Sequence, residues 1–162
     1  MSDNMLAPLL DQLPEGFDPA SREGVMYMEK ILRSLPQEVQ DEGLAAFPNG
    51  HAFADNVYGR SMSLPAGGLV VGKIHRYGHF NVLLKGKCVV LTEFGVERLE
   101  APCMFISKPG TKRVVGVIED TEWICFHGIT PAEAGNPDMI EERIICKTYG
   151  DFDRLQQLED KP

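Results

Sequence analysis

Long apolar runs are missing from this chain. The longest, such as CVVL from Cys88 and VVGVI from Val114, are strand-sized and far short of the roughly 20 residues a membrane-spanning helix needs. Paired cysteines are missing too. Cys88, Cys103, Cys125 and Cys146 are widely spaced with no CxxC, and three of them sit in apolar strand-like runs, as buried free thiols do. That usage points to a reducing, cytoplasmic setting. The opening residues, MSDNMLAPLLDQLPEGFD, carry no basic region, so no signal peptide is expected there. Net positive charge is absent: the chain carries −8, which excludes a general nucleic-acid binder, because phosphate attraction needs a positive surface. There is no GxSxG, no P-loop, no GxGxxG and no Cys/His dyad at recognisable spacing. No nucleophile is named by motif.

What is present suits one globular unit. A chain of 162 residues can bury one good core and is too short for two ordinary domains. Its apolar content of 43% and charged content of 25% are those of a soluble protein. The charge is unevenly spread. Residues 73–113 carry +5, from eight Lys/Arg against three Glu, and the remainder carries −13. Such asymmetry can mark an electropositive site in an acidic body, although most of Arg76, Lys85, Lys87 and Arg98 read better as solvated turn and outer-face residues.

Residues 1–19 hold three prolines and read as an irregular arm. Ser21 is placed to cap a helix over 22–35, with Val25, Met28, Ile31, Leu32 and Leu35 at helical spacing and Pro36 as its stop. Residues 36–55 read as loop-rich, with Pro48-Asn49-Gly50 as a turn. Residues 1–55 thus form an N-terminal helical arm. From Val57 the pattern changes to short β-like runs: 57–64, 69–75, 79–84, 88–92, 96–99, 104–107, 113–118 and 123–127. Pro65-Ala66-Gly67-Gly68, Gly78, Lys85-Gly86-Lys87, Phe94-Gly95, Pro109-Gly110 and Glu119-Asp120 separate them. About eight short strands at near-regular spacing predict an all-β sandwich or barrel over 56–130. Residues 131–162 read as a C-terminal extension, with a short helix from about Pro137 and another turn or two in DFDRLQQLE.

The run from Lys73 to Gly86 reads Lys73-x-His75-x3-His79-x6-Gly86, and Pro109-Gly110-x2-Arg113 comes after it. In this spacing the two segments resemble the two motifs of the cupin family, His-x-His-x3–4-Glu-x6-Gly and Gly-x5-Pro-x-Gly-x2-His. The resemblance covers residues near Ser63 to His127. Pro102 replaces the opening Gly of the second motif and Lys108 replaces its Pro. The run KPGTKR, with EDTEW after it, is also similar to small cupin-like proteins encoded by bacteriophages. The resemblance implies a mainly β jelly-roll barrel with Lys73, His75, His79 and Arg113 converging inside it, where cupins hold a metal with three His and a Glu. It also implies pairing of chains. With Met26, Met28 and Ile31 outside the barrel, a homodimer or higher homo-oligomer is expected.

Lys and Arg do not ordinarily ligate a divalent ion, and two imidazoles with no carboxylate in frame make a poor metal site. His51 or His127 can complete a three-His site, but nothing in the spacing places either there. Four donors on one cavity suit an anion instead, with Arg113 as a fork and Lys73 as a point charge. Buried cations need a counter-anion, so the alternative is an internal network with Glu93 or Glu119. Asn81 can read an amide or base edge or satisfy backbone groups; Trp123 and Tyr77 can stack on a planar ring or pack. His127 stands between cavity wall and surface. Arg60 can reach in from the first strand, and Lys108 and Lys112 can form a basic rim. The expectation is a cofactor-free, metal-free binder of an anionic, nucleotide-type small molecule, with no membrane or general nucleic-acid partner. A bacteriophage protein sequestering a nucleotide immune signal of its host would fit. The alternative is an enzyme, either a metal-free isomerase or hydrolase working through His75 and His79, or a metal-dependent one using the same two histidines.

Overall fold

The computed structural model describes residues 11–159, so the first ten residues of the expected arm and residues 160–162 lie outside it. Two helices come first, α1 (Arg22–Arg33) and α2 (Gln37–Ala46). Nine strands come next: β1 (Asn49–Ala54), β2 (Val57–Leu64), β3 (Leu69–Val71), β4 (Ile74–His75), β5 (His79–Thr92), β6 (Gly95–Glu100), β7 (Cys103–Ser107), β8 (Val114–Gly128) and β9 (Ile145–Cys146). A 3-10 turn (Pro131–Glu133) and α3 (Pro137–Ile144) lie between β8 and β9, and α4 (Tyr149–Glu159) closes the described chain.

The architecture is mainly antiparallel β, the class the strand rhythm predicts. One sheet runs β1-β2-β8-β5-β6, with β3 added on β8 and β7 on β5, and β4 pairs β9 in a second, two-stranded sheet. The described pairings form an open path and no closed ring. Two long strands, β5 and β8, carry the fold. Each joins two runs that the turn signals of the sequence would separate. Lys85-Gly86-Lys87 is a bulged stretch inside β5, not a turn, and Gly86 does not close a hairpin. Gly86 sits at φ 90°, and a Cβ there would lie 2.4 Å from the carbonyl oxygen of Asp120, so the bulge needs glycine. Glu119-Asp120 likewise lies within β8.

Two further expectations change. Residues 36–55 are not loop: they hold α2 and β1, and β1 pairs β2 from Asn49↔Met62 to Ala54↔Val57. The run 69–75 is not one strand. It breaks at Gly72, whose N–H donates to the Arg113 carbonyl at 2.8 Å, and its two halves join different sheets.

α1 forms as the sequence predicts. The Ser21 side chain accepts the Gly24 N–H at 2.9 Å, and the helix ends ahead of Pro36. Its buried stripe, Val25 and Met28, packs on Val89, Leu91 and Val114 of β5 and β8, with Ile31 and Leu32 at its edge. Each fully buried side chain of this kind is worth about 1.5–3 kcal/mol. Met28 and Ile31 therefore cover the protein's own sheet instead of a second chain. The main core lies on the other face of the sheet: Leu64, Leu83, Cys88, Val90, Val115, Val117, Trp123 and Cys125. All four cysteines are free thiols, as expected. No helix among the described residues is long and apolar enough to cross a membrane.

Candidate functional site

Directly opposed residues of antiparallel strands share a face. The register therefore lays the inner face out in rows. One row runs Met62, Trp123, Leu83, Cys103 across β2, β8, β5 and β7, and the next runs Arg60, Cys125, Asn81, Phe105. The last pairs Tyr58 with His127 and His79 with Ser107. Polarity thus rises stepwise toward one end of the face.

At that end three imidazoles meet. His79 and His127 have ring centroids 4.6 Å apart, and His75 comes from the second sheet to stand 4.2 Å from His79 and 5.1 Å from His127. One ring nitrogen from each lies within 4.8 Å of those of the other two. His75 reaches this place because β4 is pinned on both sides. The Gly110 N–H donates to the His75 carbonyl at 2.8 Å, and the Arg76 N–H to the Ile144 carbonyl at 2.7 Å. Gly110 has φ 79°, and a Cβ there would meet the Phe152 ring at 2.5 Å, so the Pro-Gly turn serves to seat His75.

The three rings are neutral at physiological pH. Burial depresses the His75 pKa to about 2, helped by His79, His127, Arg113 and Arg60. Burial likewise takes His79 to about 4, with Arg113 adding to it against an opposing hydrogen bond to the backbone. His127 falls to about 4 through burial, then His79, Arg143 and Arg60. Neutral imidazole is the ligating form. His79 Nδ1 lies 3.3 Å from the Tyr77 carbonyl, which favours the proton on Nδ1 and a free lone pair on Nε2. His75 Nδ1 is buried without a hydrogen-bond partner. An orphaned nitrogen costs about 1–3 kcal/mol unless something occupies it.

Arg113 stands beside this cluster. Its guanidinium donates to Ser107 Oγ and lies 5.6 Å over the Phe105 ring, and burial pulls its pKa below the ordinary arginine value. No carboxylate pairs with it among the described residues. The acids expected to balance it are engaged elsewhere, Glu93 with Arg22 at 2.8 Å and Glu119 with Lys87 at 3.2 Å. Ser107 also accepts from Asn81 Nδ2 at 2.6 Å, and Asn81 Oδ1 accepts from Trp123 Nε1 at 3.0 Å and Cys125 Sγ at 3.2 Å.

His75, His79, His127 and Arg113 of the expected set are thus brought together. Lys73 is not: it is half-exposed and ion-paired with Glu141. Alternation along a strand would aim it with His75, but Lys73 precedes a two-residue strand that starts at Ile74. Asn81 and Trp123 engage their polar atoms with each other and with Ser107, leaving them no edge or face to offer a ligand. Tyr77 is exposed, between Arg76 at 5.1 Å and Arg143 at 5.8 Å. Lys112 is no rim residue. It is buried and paired with Glu29 at 3.1 Å, and Lys108 lies over Phe94 at 5.3 Å. Arg60 shares the Asn81–Cys125 row and donates to Asn49 Oδ1 at 3.2 Å. His51 is outside the cluster, 2.7 Å from the Tyr58 hydroxyl. Ser107 is invisible in the sequence, because only its register opposite His79 gives it a role. His127 has a readable signal: it shares strand parity with Cys125 and Trp123, which places it on their face.

No protein-family model matches the chain, and no curated protein matches it. Among solved structures it is similar to an RmlC-like cupin from Shewanella frigidimarina NCIMB 400, at 13% identity over 54% of this chain and 80% of that one, with a TM-score of 0.45. It is similar to a cupin superfamily protein from Desulfitobacterium hafniense DCB-2, at 13% identity over 52% and 78%, with a TM-score of 0.45. KdgF from Halomonas sp. also aligns, at 13% identity over 54% and 84%, with a TM-score of 0.45. Nothing about chemistry transfers from likenesses of this size.

Proposed function

We propose that this chain binds a divalent metal ion through His75, His79 and His127 and uses it, with Arg113, to hold a small anionic molecule. The observation that carries the reading is the convergence of three neutral imidazoles within 4.8 Å, one of them with an orphaned buried nitrogen. The donor set fits. Three neutral histidines without a carboxylate suit Zn, Fe, Ni or Cu, and leave positions open for a ligand. His127 supplies the third imidazole that Lys73 does not. This departs from the metal-free expectation, which rests on counting only two histidines. When bound, the ion would supply Lewis acidity and a coordination position for the ligand's oxygen.

The anionic character of the ligand is supported by Arg113. A desolvated guanidinium with no acid partner is costly, and a divalent cation beside it would add like charge to a site that has no carboxylate. An anion touching both would balance them, with the fork of Arg113 fixing its orientation. Small carboxylates and nucleotides are the classes to screen. Retention of a nucleotide without chemistry and turnover of a carboxylate would use the same arginine.

Elemental analysis of protein purified without chelator tests the metal. About one equivalent of a first-row ion in the native chain, lost in His127→Ala, is expected. Absence of metal after reloading with each candidate ion would overturn the reading. For the anion, Arg113→Ala should keep the metal and weaken binding of the selected ligand on the order of tenfold to a hundredfold. Analysing the ligand after denaturation separates the two roles, since a binder returns it intact and an enzyme does not.

A further inference from the structure

The outer face of the long strands is covered at one end and bare at the other. Over Val89, Leu91 and Val114 lies α1. None of the described helices covers the other half of β5, and the side chains there are not polar. Register places Phe80 opposite Ile106 and Phe126, and Val82 opposite Met104 and Ile124. Phe80 is 49% exposed, Leu84 56%, Met104 67% and Ile106 64%. The expected alternation of apolar inside and polar outside fails on this stretch.

From this face we infer that the protein self-associates as a two-fold dimer, the β5–β7 outer face of one copy packing on the same face of another. Four arguments select a second copy. The bare side chains offer on the order of 400 Å² of apolar surface, at the size where a patch on a monomer marks an interaction site. A self-pairing doubles that, and with the half-buried Val82, Ile124 and Phe126 it approaches the roughly 1,000 Å² a specific interface needs. The rows of Phe80 and Val82 contain no charged residue, and the charges next to Leu84 are the paired positions Lys85 and Glu122, of opposite sign, so two chains of net charge −8 can meet there without burying like charges in those rows. One isologous contact also hides both bare faces at once, and aligned sheet-on-sheet packing is a standard way for such faces to meet. Among the described residues β7 pairs only with β5, so a second copy would also shield an apolar edge strand.

This relocates the expected self-association. Met28 and Ile31 are taken up by the chain's own sheet, and Met104 and Ile106 take their place. The inference does not depend on the metal site, which lies on the opposite face of the same strands.

The test is sedimentation equilibrium of the full chain from 1 to 100 µM, beside the double variant Met104→Lys/Ile106→Lys. The native chain should sediment as twice its 18.0 kDa, and the variant as a monomer with an unchanged circular dichroism spectrum. A monomeric native chain at 100 µM overturns the inference. A variant that remains dimeric overturns it as well. Should the double variant fail to fold, Leu84→Glu, on an exposed site of the same face, gives the same reading. Metal content per chain is the control, and should not change in either variant.

Discussion

The two ends of the inner sheet face share one backbone and have opposite side-chain chemistry. At one end Leu83, Val90, Val117 and Trp123 pack together as ordinary core. At the other, four residues along β5 from Leu83 and along β8 from Trp123, His79 and His127 meet His75 of the second sheet, beside an arginine with no carboxylate paired to it. Close-packed apolar groups gain by burial; buried polar groups gain only if each finds a partner. His75 Nδ1 and the Arg113 charge have not found theirs among the described residues. Stability alone would build the apolar end this way, and not the polar one.

Three experiments sharpen that contrast. The largest effect on stability is expected from Leu83→Ala, at a fully buried position. It should cost about 2–5 kcal/mol in urea denaturation, while the chain that remains folded keeps its metal. His79→Ala, one row beyond Asn81, should cost far less stability and lose the metal. Equal destabilisation by the two would erase the distinction between the ends.

A smaller effect is expected with pH. In the unfolded chain histidine takes up a proton near pH 6.5, whereas in the folded chain His79 and His127 resist until about 4 and His75 until about 2. Between those values the unfolded state binds more protons, so stability is full above pH 6.5 and falls as the pH drops toward 4. Each histidine contributes up to about 1.4 kcal/mol per pH unit. Denaturation in the presence of chelator at pH 7, 6 and 5 should show this slope, and His127→Ala should reduce it. A slope that the variant leaves untouched would assign it to carboxylates elsewhere.

The smallest effect is expected from Lys73→Ala. Its ion pair with Glu141 is about half-exposed on both sides, and such pairs are worth about 0–1 kcal/mol. Metal content and ligand affinity should both stay at native values. A loss of either would return Lys73 to the site.

The cupin-type spacing picks out three residues that the fold brings together and a fourth that it does not. His75, His79 and Arg113 are readable from it, and they are neighbours. Lys73 escapes it because strand parity assumes an unbroken strand, and after the break at Gly72 the chain joins a different sheet. The turn-like Lys85-Gly86-Lys87 and Glu119-Asp120 mislead for a related reason. A bulge and a turn use the same residues, and only the partner strand decides whether the chain reverses or runs on. α2 and β1 are hard to read because neither 37–46 nor 49–54 has a strong apolar period. The structure of β1 is set by its pairing with β2.

By itself the sequence determined the helix over Arg22–Arg33, the β character of most of the chain from Val57 to Gly128, the free thiols, and the presence of cations and imidazoles among apolar strands. These have local causes: a capping serine, side-chain period, the spacing of turn residues. Tertiary structure alone decided that His127 joins His75 and His79, that Lys73 leaves, that Ser107 links Arg113 to Asn81, and that α1 covers half of an apolar face and leaves the other half bare. Each of these depends on contacts between segments far apart in the chain; where strands are involved, register is set by the sum of the contacts across the sheet, which no single segment contains.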